Sequence, residues 1–264
     1  MCLDFQTLPE TVFSEDTTMK VREYFSRIAA NVDIFVEQFR SISDDLLYDE
    51  EYMERFVIEK IGLNQEGLEE IAPELRPYCG RGLYIWQNPR QFSKYIIWML
   101  QNAQKYSSYL EIGCRWGGTF IVVCEILRRV NPNLKWAIAA DLIEKPPFIE
   151  RYMELTKNSG FDILYFQGSS TSEEFIKLVN EKKPEISFID GDHRIVGALK
   201  DHMLVREYSG IIIHHDISSD TVPETTLLWN SLKKLESGRQ SVEFTDQYQS
   251  QKGKYFGIGA LYNG

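Results

Sequence analysis

From Tyr109 onward the chain alternates short apolar runs with helical stretches, and that rhythm admits few folds. Runs at 109–112, 135–140, 163–167, 186–189 and 211–215 read as strands. The intervening segments 119–130, 148–157, 172–182 and 195–208 read as helices. Near-continuous apolar strands separated by helices suit a parallel, doubly wound sheet covered on both faces. In such sheets ligands bind beyond the carboxyl ends of the strands. Three of these strands run straight into turns rich in Gly, Asp or His: Glu111-Ile-Gly113-Cys-Arg-Trp-Gly117-Gly118, Asp190-Gly-Asp-His193 and His214-His-Asp216. Three such ends point at one site. The tail, 242–248 and 255–262, reads as a closing pair of aromatic-rich strands.

Ahead of the sheet the pattern is helical and acidic. Val21, Phe25, Ile28, Val32, Phe35, Phe39 and Ile42 recur at alternating steps of four and three, a heptad seam. It reads as an amphipathic helix packed on its own domain, with a dimer contact through the same stripe as the alternative. Pro73, Pro77 and the glycines at 80 and 82 break the pattern, and 93–104 reads as a helix leading into the sheet. The division expected is a helical annex over 1–80, serving as lid or oligomerisation element, and a ligand-binding domain over 81–264.

Charge narrows the partners. With 29 Lys and Arg against 39 Asp and Glu, the formal charge is −10. Such a surface disfavours nucleic acid and anionic membrane. Cys2, Cys79, Cys114 and Cys124 have no C-x-x-C spacing and read as reduced. No leader or membrane-spanning run is visible, so a soluble, cytoplasmic protein is expected.

Glycine after the first strand lets backbone approach a ligand, and the helix that follows offers free N–H groups. The spacing is not the G-x-G-x-x-G of dinucleotide enzymes. Asp141, ending the second strand, suits a ribose hydroxyl pair. Glu111, inside an apolar strand, needs a partner or a structural hydrogen bond. E-x-G-x-x-x-G-G followed by an acid at the next strand end resembles the class I S-adenosylmethionine-dependent methyltransferases. With Phe188-Ile-Asp-Gly-Asp-His193, Ile213-His-His-Asp216 and the upstream Trp86-Gln-Asn-Pro89, the chain is similar to the branch of macrocin-type O-methyltransferases and cephalosporin-hydroxylase-like proteins. The resemblance covers residues 80–262. It implies a mostly parallel seven-stranded Rossmann-like sheet, with S-adenosylmethionine held by Glu111, Gly113, Gly117, Asp141, Gly168, Ser169 and Asp190. Ser169 and Ser170 stand where the third loop of that family often carries an acid beside adenine.

All four histidines, His193, His202, His214 and His215, fall within one 23-residue window, beside Asp190, Asp192 and Asp216. Carboxylates and imidazole at neighbouring strand ends can hold a divalent ion, and imidazole can serve as a base. The resemblance implies that Asp190 and Asp216 ligate magnesium and that His193 is the catalytic base. His215 replaces an acid of the family's pair, which shifts the expected metal toward one of borderline softness. The metal set is then Asp190, His215 and Asp216. Asp192 reads also as a helix cap, His202 as a solvated mid-helix residue, and His214 as paired with backbone.

The activity expected is O-methylation of a small-molecule hydroxyl, on a sugar or secondary metabolite, with Tyr84 and Trp86 as candidate lid residues. Rival readings are a non-haem iron oxygenase, since His214-x-Asp216 spells half of a 2-His-1-carboxylate triad, an NAD-dependent oxidoreductase, and a binding protein that kept the fold without catalysis.

Overall fold

The computed structural model describes residues 15–67 and 70–264, with side chains from residue 20 onward. Cys2 and the opening residues 1–10, which carried the expectations of a thiol and of no leader, lie outside them. The described residues form seven strands: β1 (Ser108–Ile112), β2 (Trp136–Asp141), β3 (Asp162–Gln167), β4 (Ile186–Ile189), β5 (Ile211–His215), β6 (Gln240–Phe244) and β7 (Ile258–Tyr262). They form one sheet in the order β3-β2-β1-β4-β5-β7-β6. β1 to β5 pair in parallel, while β7 runs antiparallel to both β5 and β6. The strand order reverses between β1 and β4, so the crevice for a ligand opens at their carboxyl ends.

The helices are α1 (Glu15–Ile28), α2 (Asn31–Arg40), α3 (Asp44–Leu47), α4 (Glu50–Phe56), α5 (Pro89–Asn102), α6 (Gly118–Val130), α7 (Pro147–Thr156), α8 (Glu173–Lys182), α9 (Ile195–Val205) and α10 (Pro223–Leu235). Alternation along the strands sorts the core into two layers. Tyr109, Ala137, Phe188 and Ile213 face the annex with α5 and α6. Leu110, Ile138, Ile189 and Ile212 face the opposite layer, where Phe175 and Val179 of α8 pack. α10 closes that side with Leu228, Trp229 and Leu232, and sequence periodicity gave no sign of it. The tail strands are shorter than expected, because residues 245–257 form a loop instead. Its backbone pairs sideways with the segment after β5: Ile217 donates to the Gly257 carbonyl and Ser218 to that of Phe256.

The heptad seam is split at Ala29 and Ala30 between α1 and α2, and it is spent inside the chain. Val32 is fully buried and Phe35 and Phe39 are 1% exposed, so the stripe is no free surface for a second copy. One apolar cluster runs without a break from Val21 of the annex to Ala260 of β7. Polar ties reinforce it. Glu125 on α6, with a side chain 1% exposed, accepts from Arg40 of the annex at 2.7 Å. It also accepts from Arg128 at 3.0 Å and from the Tyr152 hydroxyl at 2.7 Å. Removing a buried acceptor strands several donors at once. Glu125→Ala should therefore cost about 3 kcal/mol by urea denaturation, and Arg40→Ala, whose side chain is half exposed, about 1 kcal/mol.

Among the described residues no helix is long and apolar enough to cross a membrane. Cys79, Cys114 and Cys124 are free thiols.

Candidate active site

The glycine turn after β1 is shaped by its neighbours. Gly113 adopts φ +86°, and a Cβ there would stand 2.1 Å from the Asp190 carbonyl oxygen. The backbones leaving β1 and β4 therefore touch at the mouth of the sheet. Gly117 caps α6 at φ +88°, and a Cβ there would meet the Ile149 side chain at 2.5 Å. Packing of α7 accounts for that glycine without invoking a ligand. Trp116 of the turn stacks on Phe25 of α1, with centroids 4.3 Å apart, so the annex roofs the turn. Arg115 lies 4.6 Å over the Trp86 ring and pairs with Glu66 at 2.5 Å. Tyr84 is turned toward the annex, its hydroxyl 2.8 Å from that of Tyr24.

Asp141 ends β2 half-buried, its carboxylate accepting from the Arg115 N–H at 2.6 Å and the Ile143 N–H at 3.3 Å. Those bonds aim it across the turn. Gly168 follows β3 and donates to the Asp141 carbonyl at 2.9 Å, bringing the third loop alongside. The Ser169 hydroxyl is taken up by Thr171 at 2.9 Å.

Glu111 is 2% exposed and bonded by the Tyr109 hydroxyl at 2.5 Å. Burial pushes its carboxyl up to about 8 against an opposing pull from Tyr109, with Asp190 and Asp141 adding to the rise. A carboxyl raised above its ordinary 4.5 favours the folded state most below that value, and the benefit is lost as pH climbs through about 8. Glu111→Gln keeps the acceptor and removes the titration. Its melting temperature relative to the parent should therefore rise between about pH 5 and about pH 8. An offset that stays constant across that range would contradict the assignment.

The acid–imidazole cluster gathers at the ends of β4 and β5. His193 Nε2 lies 3.2 Å from Asp216 Oδ2 and 3.5 Å from Asp190 Oδ1. His215 Nδ1 bonds Asp190 Oδ1 at 3.0 Å. Hydrogen bonds to Asp190 and Asp216 hold the His193 imidazole well above its usual range. For His215, burial opposes the charged form but the two carboxylates outweigh it, so it too is raised. Asp190 is pulled below the carboxylate range because those imidazoles outweigh its burial. Asp216 sits at φ +57°, a left-handed conformation that costs a non-glycine residue energy and turns the chain sharply after β5. Ligand atoms of Asp190, His193 and Asp216 lie within 4.8 Å of one another, the spacing a single cation needs. Two carboxylates and an imidazole suit a hard to borderline divalent ion. His215, expected as a ligand, bonds Asp190 through Nδ1, and its Nε2 has no hydrogen-bond partner.

His202 and His214 differ from expectation. His202 is fully buried rather than solvated. Its Nδ1 meets His214 Nε2 at 3.0 Å, while Nε2 faces Glu236 at 3.4 Å. Burial lowers both imidazoles, leaving them neutral near pH 7. Adjacent residues on a strand point to opposite faces, so His214 turns to α9 while His215 turns to α5. The His214-x-Asp216 pair thus does not converge. Asp192 accepts from the Arg194 N–H at 3.0 Å, just ahead of α9. Asp201 of α9, not singled out in the sequence, is buried, and burial pushes it up to about 6 against an opposing pull from Ser170.

A small cavity at these strand ends is lined by Asp190, Gly191, His193, His214, His215 and Thr225. No glycine-turn residue lines it; the turn meets the cluster where Gly113 packs on the Asp190 carbonyl.

No protein-family model matches the chain, and no curated protein matches it. Solved structures do. An O-methyltransferase from Bacillus cereus in complex with S-adenosylhomocysteine shares 14% identity over 92% of this chain and 97% of its own, at a TM-score of 0.48. TomG, an O-methyltransferase of Streptomyces achromogenes solved with S-adenosylmethionine, shares 12% over 96% and 100%, also at 0.48. MycE, a methyltransferase of the mycinamycin pathway solved with magnesium and S-adenosylhomocysteine, shares 15% over 66% of this chain and 50% of its own, at 0.43. The chain is similar to solved O-methyltransferases.

Proposed function

We propose that the chain is an S-adenosylmethionine-dependent O-methyltransferase acting on a hydroxyl of a small molecule, a sugar or secondary metabolite, with a divalent cation at Asp190 and Asp216 and His193 beside it as the base. The observation that carries this reading is the contact of the Gly113 turn with the Asp190 backbone, beside three converging ligand groups. The residues fit the cofactor. Glu111 is a buried carboxyl bonded by the Tyr109 hydroxyl, suited to the ammonium of a methionyl group, and Asp141 is fixed at the second strand end for a ribose. They also fit a cation, since the Asp190 and Asp216 carboxylates face the same small volume, with the His193 imidazole beside it. A bound divalent ion would supply positive charge that lowers the pKa of an acceptor hydroxyl.

The chain's own groups divide the remaining work. The crevice holds methyl donor and hydroxyl in line, and such positioning supplies much of the rate. His193 keeps a proton while both carboxylates face it. Once Asp190 and Asp216 are engaged otherwise, its Nε2 is free to receive the hydroxyl proton. His215 holds Asp190 in register from below. Phe25, Trp116, Arg115 and Trp86 cover the turn and exclude water.

The experiment is transfer of a labelled methyl group from S-adenosylmethionine to a small-molecule hydroxyl pool, with and without divalent cation. Label in product that depends on the cation supports the reading. S-adenosylhomocysteine binding with no transfer to any acceptor would favour a binding protein instead.

A further inference from the structure

Gln87 is an unexplained group in the Trp86-Gln-Asn-Pro89 segment. It is 4% exposed, and neither its Nε2 nor its Oε1 has a hydrogen-bond partner. A buried amide with both ends unsatisfied is costly and calls for an explanation. Its place is fixed by its neighbours. α5 begins just beyond it, at the carboxyl end of the sheet, and descends so that β1 can rise. Tyr95 on α5 packs against Phe188 of β4, with rings 6.0 Å apart. One turn higher, Gln91 accepts from the Gly257 N–H at 2.9 Å, next to Phe256, whose ring stacks on His215 at 5.8 Å. Gln87 lies in the bend just ahead of α5, between Trp86 and the Asn88 cap. On one side Trp86 lies against Arg115 of the glycine turn, and on the other Asn88 donates to Gln251 at 3.1 Å. The Leu83 carbonyl rests on Gly118, holding the segment over the turn. The segment that carries the orphan amide thus lies against the glycine turn.

We infer that Gln87 binds the amino-acid end of the cofactor, its Nε2 donating to the carboxylate and its Oε1 accepting from the ammonium. A primary amide offers one donor group and one acceptor side by side, which matches a zwitterion and neither charge alone. This assignment rests on the proposed cofactor and adds a residue to its site. Each hydrogen bond to a charged group is worth roughly 10- to 100-fold in affinity.

The test compares S-adenosylhomocysteine with 5′-methylthioadenosine, which lacks the amino-acid end, by titration calorimetry. Gln87→Met preserves shape and removes both polar atoms. It should lower affinity for S-adenosylhomocysteine by at least about 10-fold, leave methylthioadenosine unchanged, and leave the ligand-free melting temperature equal or higher. Gln87→Glu keeps the acceptor and repels the carboxylate. It should lose S-adenosylhomocysteine yet retain decarboxylated S-adenosylhomocysteine, a reversal that a merely structural role does not produce. Equal losses for both nucleosides, or none for either, would overturn the inference while leaving the cofactor assignment standing. If the parent protein binds neither nucleoside, the proposed function falls and this inference with it.

Discussion

Replacing His193 with alanine should reduce methyl transfer by about 10²- to 10⁴-fold, the usual contribution of a positioned acid–base group. S-adenosylhomocysteine affinity should stay within a few-fold, since the imidazole stands against Asp190 and Asp216 and not against the glycine turn. Cation affinity should hold, because Asp190 and Asp216 remain and lose only the imidazolium paired with them. Steady-state rates at saturating cofactor, with calorimetry for cofactor and cation, separate these effects. A variant that loses cofactor affinity instead would remove His193 from the role of base.

Gly113→Ala is expected to be the most damaging small substitution in the sheet. Its Cβ would lie 2.1 Å from the Asp190 carbonyl oxygen and 2.6 Å from Gly191 Cα, in a backbone at φ +86°. Those neighbours are backbone, so β1 and β4 would have to part where both halves of the site meet. Left-handed strain and overpacking together should cost about 2–4 kcal/mol. Cofactor and cation affinity should fall together, because the shift carries Asp190 with it. Urea denaturation and paired titrations measure this. A variant that keeps both affinities would show that the glycine turn and the cluster are not mechanically joined.

The sheet was legible because apolar runs ending in turn residues survive any packing detail. β4 and β5 fall where the pattern placed them. α10 escaped notice because it opens Pro-Glu-Thr-Thr and buries Leu228, Trp229 and Leu232 without a long periodic stripe. The helix start was nonetheless marked by Pro223 at its first turn. The heptad seam suggested one helix, but a turn at Ala29 and Ala30 folds it back on the core. In the site, the glycines were read as ligand-facing, whereas Gly117 answers first to Ile149. His202 looked solvated from its charged sequence neighbours, yet its helix turns it inward to His214. Gln87 left no periodic signal, since it is buried in a bend ahead of α5 and not within a helix or strand.

The account depends on cofactor and cation sharing the hollow at the ends of β1, β4 and β5. Bound Mn²⁺ is paramagnetic, so it broadens the resonance of a nearby nucleus. The direct measurement is the linewidth of methyl-¹³C S-adenosylmethionine bound to the protein, titrated with Mn²⁺ and repeated in Asp190→Asn. The account predicts strong broadening that saturates with one ion and disappears in the variant. A methyl signal that stays sharp while Mn²⁺ and cofactor are both bound would contradict it.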